Sequence, residues 1–265
     1  MEELSLEEIK KVQLDILIYV DKICRDNNIE YSLAYGTLIG AIRHKGFIPW
    51  DDDIDIILKR SEYNKLLDIL YSEENGKYKV FSPKDEGYFY PYAKVSDLST
   101  IIREKNWPDY KDLGVNIDIF PIDFVPDGEE KAYYDRMQQY VRCLHNCLTD
   151  IAYVHKNKIA SLVKRMCRFR EVKKCRRKSE WYWKDKIEQL THIKESHNIA
   201  CIVDGDYCLW SKDLLEDYID IKFENSTFKA SKYYDEMLRE YYGDYMQLLP
   251  IEERVSNHDF VAYWK

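Results

Sequence analysis

Residues 31–58 read YSLAYGTLIGAIRHKGFIPWDDDIDIIL. The apolar stretch 31–35 runs into Gly36 and Thr37, "TLIGAIRH" (37–44) has helical spacing, a turn ends at Pro49, and "DIDIIL" (53–58) alternates with β-branched residues. This pattern predicts strand, turn, helix, strand. Asp53 and Asp55 then leave one face of a strand, their Cα atoms about 6–7 Å apart, and can converge on one hard cation. Mg²⁺, or Mn²⁺ in its place, suits such a pair because it takes oxygen ligands, retains water and holds substrate phosphates. A calcium loop is excluded, since Ile56 stands where its glycine is required.

Working outward, Gly36 and Thr37 end one element and open a helix, where bare N–H groups and the helix dipole can hold a phosphate. Gly36 has no Cβ to keep a phosphate off the backbone. A third acid comes from "GVNIDIF" (114–120). Val115, Ile117 and Ile119 face one way there, leaving Asn116 and Asp118 together on the other. Asp118 is a metal ligand or the general base that takes a proton from an attacking hydroxyl, and sequence leaves both roles open. Acids on solvated faces rarely sit inside apolar strands such as "IDIIL" and "NIDIF", which separates these three from most of the 48 acidic residues.

The flanks supply the scaffold. Ser5 and Glu8 form a capping box ahead of Leu6, Ile9, Val12, Ile16, Val20 and Ile23, predicting an amphipathic helix to about Asn27. A helix is predicted over 61–71, and strands at "KYKVF" (77–81), "YFYPYAKVS" (88–96), "TIIRE" (100–104) and "GVNIDIF". From Gly128 to about Ser196 the chain is charged and helical. "CIVDGDYCLW" (201–210) carries an Asp-Gly turn suited to a tight hairpin, and "SKYYDEMLREYYGDY" (231–245) is a helix stopped at Gly243. The expected class is α+β, a mixed sheet core flanked by helices with a helical insertion: a core over 1–126, a basic helical insertion over 127–199, and a C-terminal hairpin and helix over 200–265 packing back on the core.

Composition narrows the function. A net charge of -8 argues against a nucleic-acid partner. The opening "MEELSLEEIKK" lacks the basic-then-apolar order of a signal peptide and no stretch of eighteen uncharged apolar residues occurs, so a cytoplasmic protein is expected. Seven cysteines, an odd number with no CxxC pair, predict reduced thiols. Cys143, His145 and Cys147 read as a helix surface or packing face rather than a zinc site, because only the two cysteines share a helical face. Residues 159–178 combine a basic run with apolar residues at helical spacing. That pattern suits packing on the core, and equally contact with an anionic membrane surface at the inner face of the cell membrane.

"YSLAYGTLIGAIRHKGFIPWDDDIDI", "YAKVSDLSTIIRE", "GVNIDIFPID", "YYGDYMQLLP" and "EERVSNH" together resemble the LicD family, weakest over 127–199. The resemblance implies a nucleotidyltransferase-type fold in which Asp53 and Asp55 bind Mg²⁺ and Asp118 completes the acidic triad. It also implies a CDP-alcohol donor such as CDP-choline and a glycan or lipid-linked glycan acceptor. Lys94 and Arg43 are the candidate phosphate cations. Trp50, Asp51 and Asp52, in the turn before the acids, are candidate contacts to base, sugar or acceptor, with core packing the plainer reading of Trp50. Tyr242, Asp244, Arg254 and His258 enter only as positions matching the family. Two rival readings use the same acids: nucleotidyl transfer from ATP or CTP, and glycosyl transfer from a UDP-sugar through Asp53-Ile54-Asp55.

Overall fold

The computed structural model describes residues 1–73, 76–104, 109–149, 158–203, 207–254 and 260–265, with the backbone alone at 158–165 and 167. Helix α1 (Leu6–Asp26) starts on the expected capping box: the Ser5 hydroxyl accepts the Glu8 N–H while the Glu8 carboxylate accepts the Ser5 N–H, so two end donors are satisfied reciprocally. Its stripe of Ile9, Val12, Ile16, Val20 and Ile23 is buried.

Next come β1 (Ser32–Leu33), α2 (Tyr35–Arg43), β2 (Asp55–Lys59), α3 (Arg60–Ser72), β3 (Tyr78–Phe81), β4 (Ala93–Asp97), β5 (Thr100–Glu104) and β6 (Asn116–Val125). Three helices follow, α4 (Glu130–Leu148), α5 (Lys158–Cys175) and α6 (Glu180–Leu190), and then β7 (Asn198–Ala200), β8 (Trp210–Ser211), β9 (Tyr218–Phe223), β10 (Ser226–Ser231), α7 (Tyr234–Tyr242) and β11 (Phe260–Trp264). The main sheet runs β1-β2-β6-β4-β3, with β7 on β6 and β8 on β7. The β2–β6 pair is parallel and its neighbours antiparallel, so the fold is a mixed-sheet α+β fold. The chain's end returns to the core, β11 pairing with β5.

The two faces of the sheet are covered by different material. Ile54, Ile56, Leu58, Ile117 and Ile119 pack with the apolar faces of α1 and α3. Ile57, Phe120 and Ile122 pack instead with Tyr133, Met137 and Val141 of α4, Trp210 and Met237. The two-residue alternation of strands makes that division. It also sends the odd-spaced partners of the apolar residues, Asp55 and Asp118, to the second face, at the margin where its cover ends.

Several expectations change. "YFYPYAKVS" is a strand only from Ala93, because Pro91 lacks a ladder donor; Tyr88, Phe89 and Tyr90 form a buried aromatic group instead. The "NIDIF" strand continues through Pro121 to Val125. The Asp118 N–H donates toward β2, to Ile54 O at 2.8 Å, so alternation points position 121 the other way. There β4 has ended opposite Ile119 and β7 starts opposite Asp123, and no donor is needed. The Asp204-Gly205 turn lies outside the described residues. The flanking strands do pair antiparallel, through Asn198–Ser211 and Ile199–Trp210. A hairpin not expected from sequence joins β9 to β10 through Glu224, whose φ is +54°.

In the helical segment, Cys175 and Cys143 thiols meet at 3.0 Å between α5 and α4. Burial, then Cys175, pushes the Cys143 thiol up to about 12, the behaviour of an inert packed thiol. His145 is pushed down to about 4 by burial. Gly243, at φ +67°, ends α7 as expected.

Candidate active site

The parallel β2–β6 pair sets Asp55 directly in register with Asp118, and the antiparallel β4–β6 pair sets Lys94 in register with the same Asp118. Asp55, Asp118 and Lys94 therefore form one row across three strands. Asp53 lies two residues ahead of Asp55, beside the row that holds Asn116 and Ser96. The Lys94 ammonium donates to the Asp118 carboxylate at 2.5 Å and to Asn116 Oδ1 at 3.2 Å.

Asp55 is anchored by its backbone. Its N–H donates to the Thr37 hydroxyl at 2.9 Å and its carbonyl accepts the Ala34 N–H at 3.0 Å, which ties the acid strand to the start of α2. Thr37 thus positions a carboxylate. Gly36 lies beside it: a Cβ there would come within 2.5 Å of the Asp51 Oδ2. An acidic group thus occupies the helix start, where negative charge is favoured. Gln13 of α1, missed from sequence, donates to Asp52 O at 2.7 Å and Asn116 O at 3.3 Å. It clamps the acidic turn to β6, and its signal was a lone amide in an otherwise apolar helical stripe. Lys10 holds the same turn through Ile48 O and Pro49 O, each at 3.0 Å.

Burial pushes the Asp55 carboxyl well above the usual carboxylate range, and the charges of Asp53, Asp118 and Asp51 push it the same way against Lys94. Such crowding is relieved by a cation or a proton. Among the described residues no three His, Cys, Asp or Glu side chains converge closely enough to hold a metal by themselves. Mg²⁺ at phosphate-transfer sites is commonly held by one or two carboxylates together with substrate phosphates and water. Asp53 and Asp55, hard oxygen donors with excess negative charge, fit that requirement, while Asp118 is engaged by Lys94.

Two sequence candidates are turned elsewhere. Arg43 ends α2, about 10 Å along the helix from Gly36, and donates to Tyr245 O at 2.8 Å and Gln247 O at 3.3 Å. There it satisfies carbonyls left open after α7, so it does not join the phosphate cations. Trp50 packs on the core with its ring edge-on to His44 and under the Arg254 guanidinium, 5.4 Å from the ring centroid. Stacking on a base is replaced by cation–π and core contacts. Asp52 is buried in the same turn. The Tyr242 ring is tilted against that of Tyr241 with centroids 4.5 Å apart, Asp244 accepts the Gln247 N–H through its carbonyl, and His258 lies outside the described residues.

Comparison with known proteins bears on this arrangement directly. The lipopolysaccharide cholinephosphotransferase LicD of Haemophilus influenzae is 33% identical over 274 aligned positions that cover 99% of each chain. The chain belongs to the LicD family. The family model described as LicD/FKTN/FKRP, nucleotidyltransferase domain, matches residues 28–148, the span that contains Asp53, Asp55, Lys94 and Asp118. An uncharacterized protein of Rickettsia prowazekii is 31% identical over 48% of this chain and 50% of its own, and one of Rickettsia typhi is 32% identical over 39% of this chain and 31% of its own. Membership in the LicD family makes the protein a transferase of the LicD type.

Proposed function

We propose that this LicD-family protein, with a nucleotidyltransferase type of fold, transfers phosphocholine from CDP-choline to a hydroxyl of a cell-surface glycan or its lipid-linked precursor. The observation that carries the reading is the row of Asp55, Asp118 and Lys94 beside Asp53 on the parallel β2–β6 pair. Its support from outside is the relative named for cholinephosphate transfer to lipopolysaccharide.

Mg²⁺ bound through Asp53 and Asp55 would neutralise the donor diphosphate and polarise its phosphorus. The chain's own groups do the rest. Lys94 lies where its ammonium can leave Asp118 for a phosphate oxygen and offset charge that develops there. A carboxylate of the same row accepts the proton of the acceptor hydroxyl, which attacks the phosphorus in line as CMP leaves. The row is nearly closed to solvent: the Lys94 side chain is 9% exposed and that of Asp118 16%, which strengthens each of these charge interactions.

Differential melting with and without Mg²⁺ tests the donor. CDP-choline at about a hundred times its dissociation constant stabilises the native state by about 2.7 kcal/mol, so the melting temperature rises by about 5–10 °C, with Mg²⁺ only. Incubation with a lipopolysaccharide acceptor then releases CMP. Stabilisation by UDP-glucose or ATP in its place, or a nucleotide retained on the acceptor, would replace this reading by glycosyl or nucleotidyl transfer.

A lipid-linked acceptor requires the protein to reach a membrane, and among the described residues no helix is long and apolar enough to cross one. We propose a peripheral contact through α5. Met166 and Phe169 are 66% and 65% exposed within the basic run 164–178, so apolar insertion and attraction to anionic lipid act on one helix. The full chain is expected to float with vesicles of phosphatidylglycerol and phosphatidylcholine, and Met166→Ser/Phe169→Ser to remain at the bottom. Wild-type protein left at the bottom removes the contact.

A further inference from the structure

The strand registers define a second row on the catalytic face. Two residues beyond Asp55 on β2 is Ile57, two beyond Asp118 on β6 is Phe120, in register with Ile57, and two before Lys94, just ahead of β4, is Tyr92. The rings confirm the continuation, Tyr92 lying on Phe120 at 4.3 Å between centroids. The row of charges is thus followed, one pleat repeat or about 6–7 Å away, by a row that is apolar and aromatic.

Two observations make this row more than packing. Tyr35 closes its other side, its ring edge-on to Phe120 at 5.6 Å and 89°. The backbone that delivers the ring has φ +46°, the left-handed region that residues with large side chains seldom enter and that concentrates at ligand sites. The rings also already face a cation, since the Lys94 ammonium lies 5.4 Å from the centroid of Tyr92 and 4.6 Å from that of Tyr90. Tyr35 and Tyr92 are half-buried and both touch the buried Phe120, with Tyr241 and Tyr90 behind them.

We infer that Tyr35, Tyr92 and Phe120 form the subsite for the alcohol end of the donor and select a quaternary ammonium there, an inference that rests on the donor reading above. With the reacting phosphate at the Asp55–Asp118–Lys94 row, the two-carbon tether of choline spans about one pleat repeat and sets the trimethylammonium against the three rings. Ring faces attract a large, weakly hydrated cation. A polyol would leave its hydroxyls without partners on Ile57 and Phe120, which costs affinity.

Calorimetry with Mg²⁺ present tests the assignment on CDP-choline, CDP, UDP, and the neutral isostere CDP-3,3-dimethylbutanol, in which carbon replaces nitrogen. Wild type is expected to prefer CDP-choline to the isostere about tenfold, the size of a partly desolvated cation–π contact. In Tyr92→Leu and in Tyr35→Leu the preference falls toward unity while CDP binds as before, and Tyr35→Phe retains it. Equal wild-type affinity for the two donors overturns the subsite without touching the donor reading, since CDP still binds. A preference that survives in both leucine variants, or variants that lose CDP equally, overturns it as well. Wild type that binds CDP no better than UDP removes the donor reading itself, and the subsite with it.

Discussion

Asp55→Asn abolishes transfer and raises the melting temperature of the metal-free protein. The loss follows from geometry: Asp55 stands at the β2 end of the row, in register with Asp118 and fixed at both backbone groups. No other carboxylate can take its place without moving β2. Removing one charged group from a preorganised site of this kind lowers kcat by about 10²–10³-fold or more. The gain in stability has the opposite cause. Buried and crowded by Asp53, Asp118 and Asp51, the Asp55 carboxyl is pushed well above its ordinary range, so its ionised form strains the metal-free fold. An amide of the same shape carries no charge, and relief of about 1 kcal/mol moves the melting temperature by about 2–4 °C in a protein of this size.

The sign with pH follows. The folded Asp55 binds its proton more tightly than the unfolded chain does, so metal-free stability falls as pH rises from the ordinary carboxylate pKa through the raised one. In Asp55→Asn that contribution to the slope is gone. Mg²⁺ with CDP-choline should stabilise wild type and leave the variant unmoved. A variant that is inactive and also less stable in the absence of metal would instead make Asp55 a structural residue.

The acids were legible because they break a rule locally. Asp55 and Asp118 interrupt runs of Ile that a solvated surface would not carry, and two-residue alternation alone set Asp55 on one strand face with Asp53, and Asp118 on one strand face with Asn116; that the two faces are the same one is given by the β2–β6 register. The capping box of Ser5 and Glu8 was legible for the same reason, each partner being within one helical turn. What stayed hidden depends on pairing between distant segments. That Lys94 meets Asp118, and Tyr92 meets Phe120, follows from the β4–β6 register, which no periodicity in either segment encodes. Nor could local reasoning show that Arg43 is needed by the carbonyls of Tyr245 and Gln247, some 200 residues later. The β6 strand passes Pro121 because its neighbours on that side leave a gap at that position, a property of the sheet and not of the strand.

Arg60→Met is expected to cost about 3–5 kcal/mol, the price of leaving a buried charge without its partner. Asp123 sits on the reverse face of β6 with its side chain fully buried, one residue past the apolar Ile122. Arg60, first residue of α3, reaches it with Nε at 2.7 Å and Nη2 at 2.5 Å, a two-point pairing that Lys would not reproduce. Because β2 runs into α3 without a loop, this pair fixes the angle between the strand that carries Asp55 and the helix that covers its back. A fall in melting temperature of about 10 °C is expected. Transfer should also weaken as β2 loosens against β6. The double variant Arg60→Met/Asp123→Leu separates charge from packing: apolar side chains of similar volume commonly replace a buried pair at little cost, so most of the lost stability returns. A cycle of wild type, both single variants and the double variant then gives a coupling energy of several kcal/mol. If Arg60→Met melted with wild type, or the double variant only added to its loss, the ion pair would not be what holds α3 to the strand.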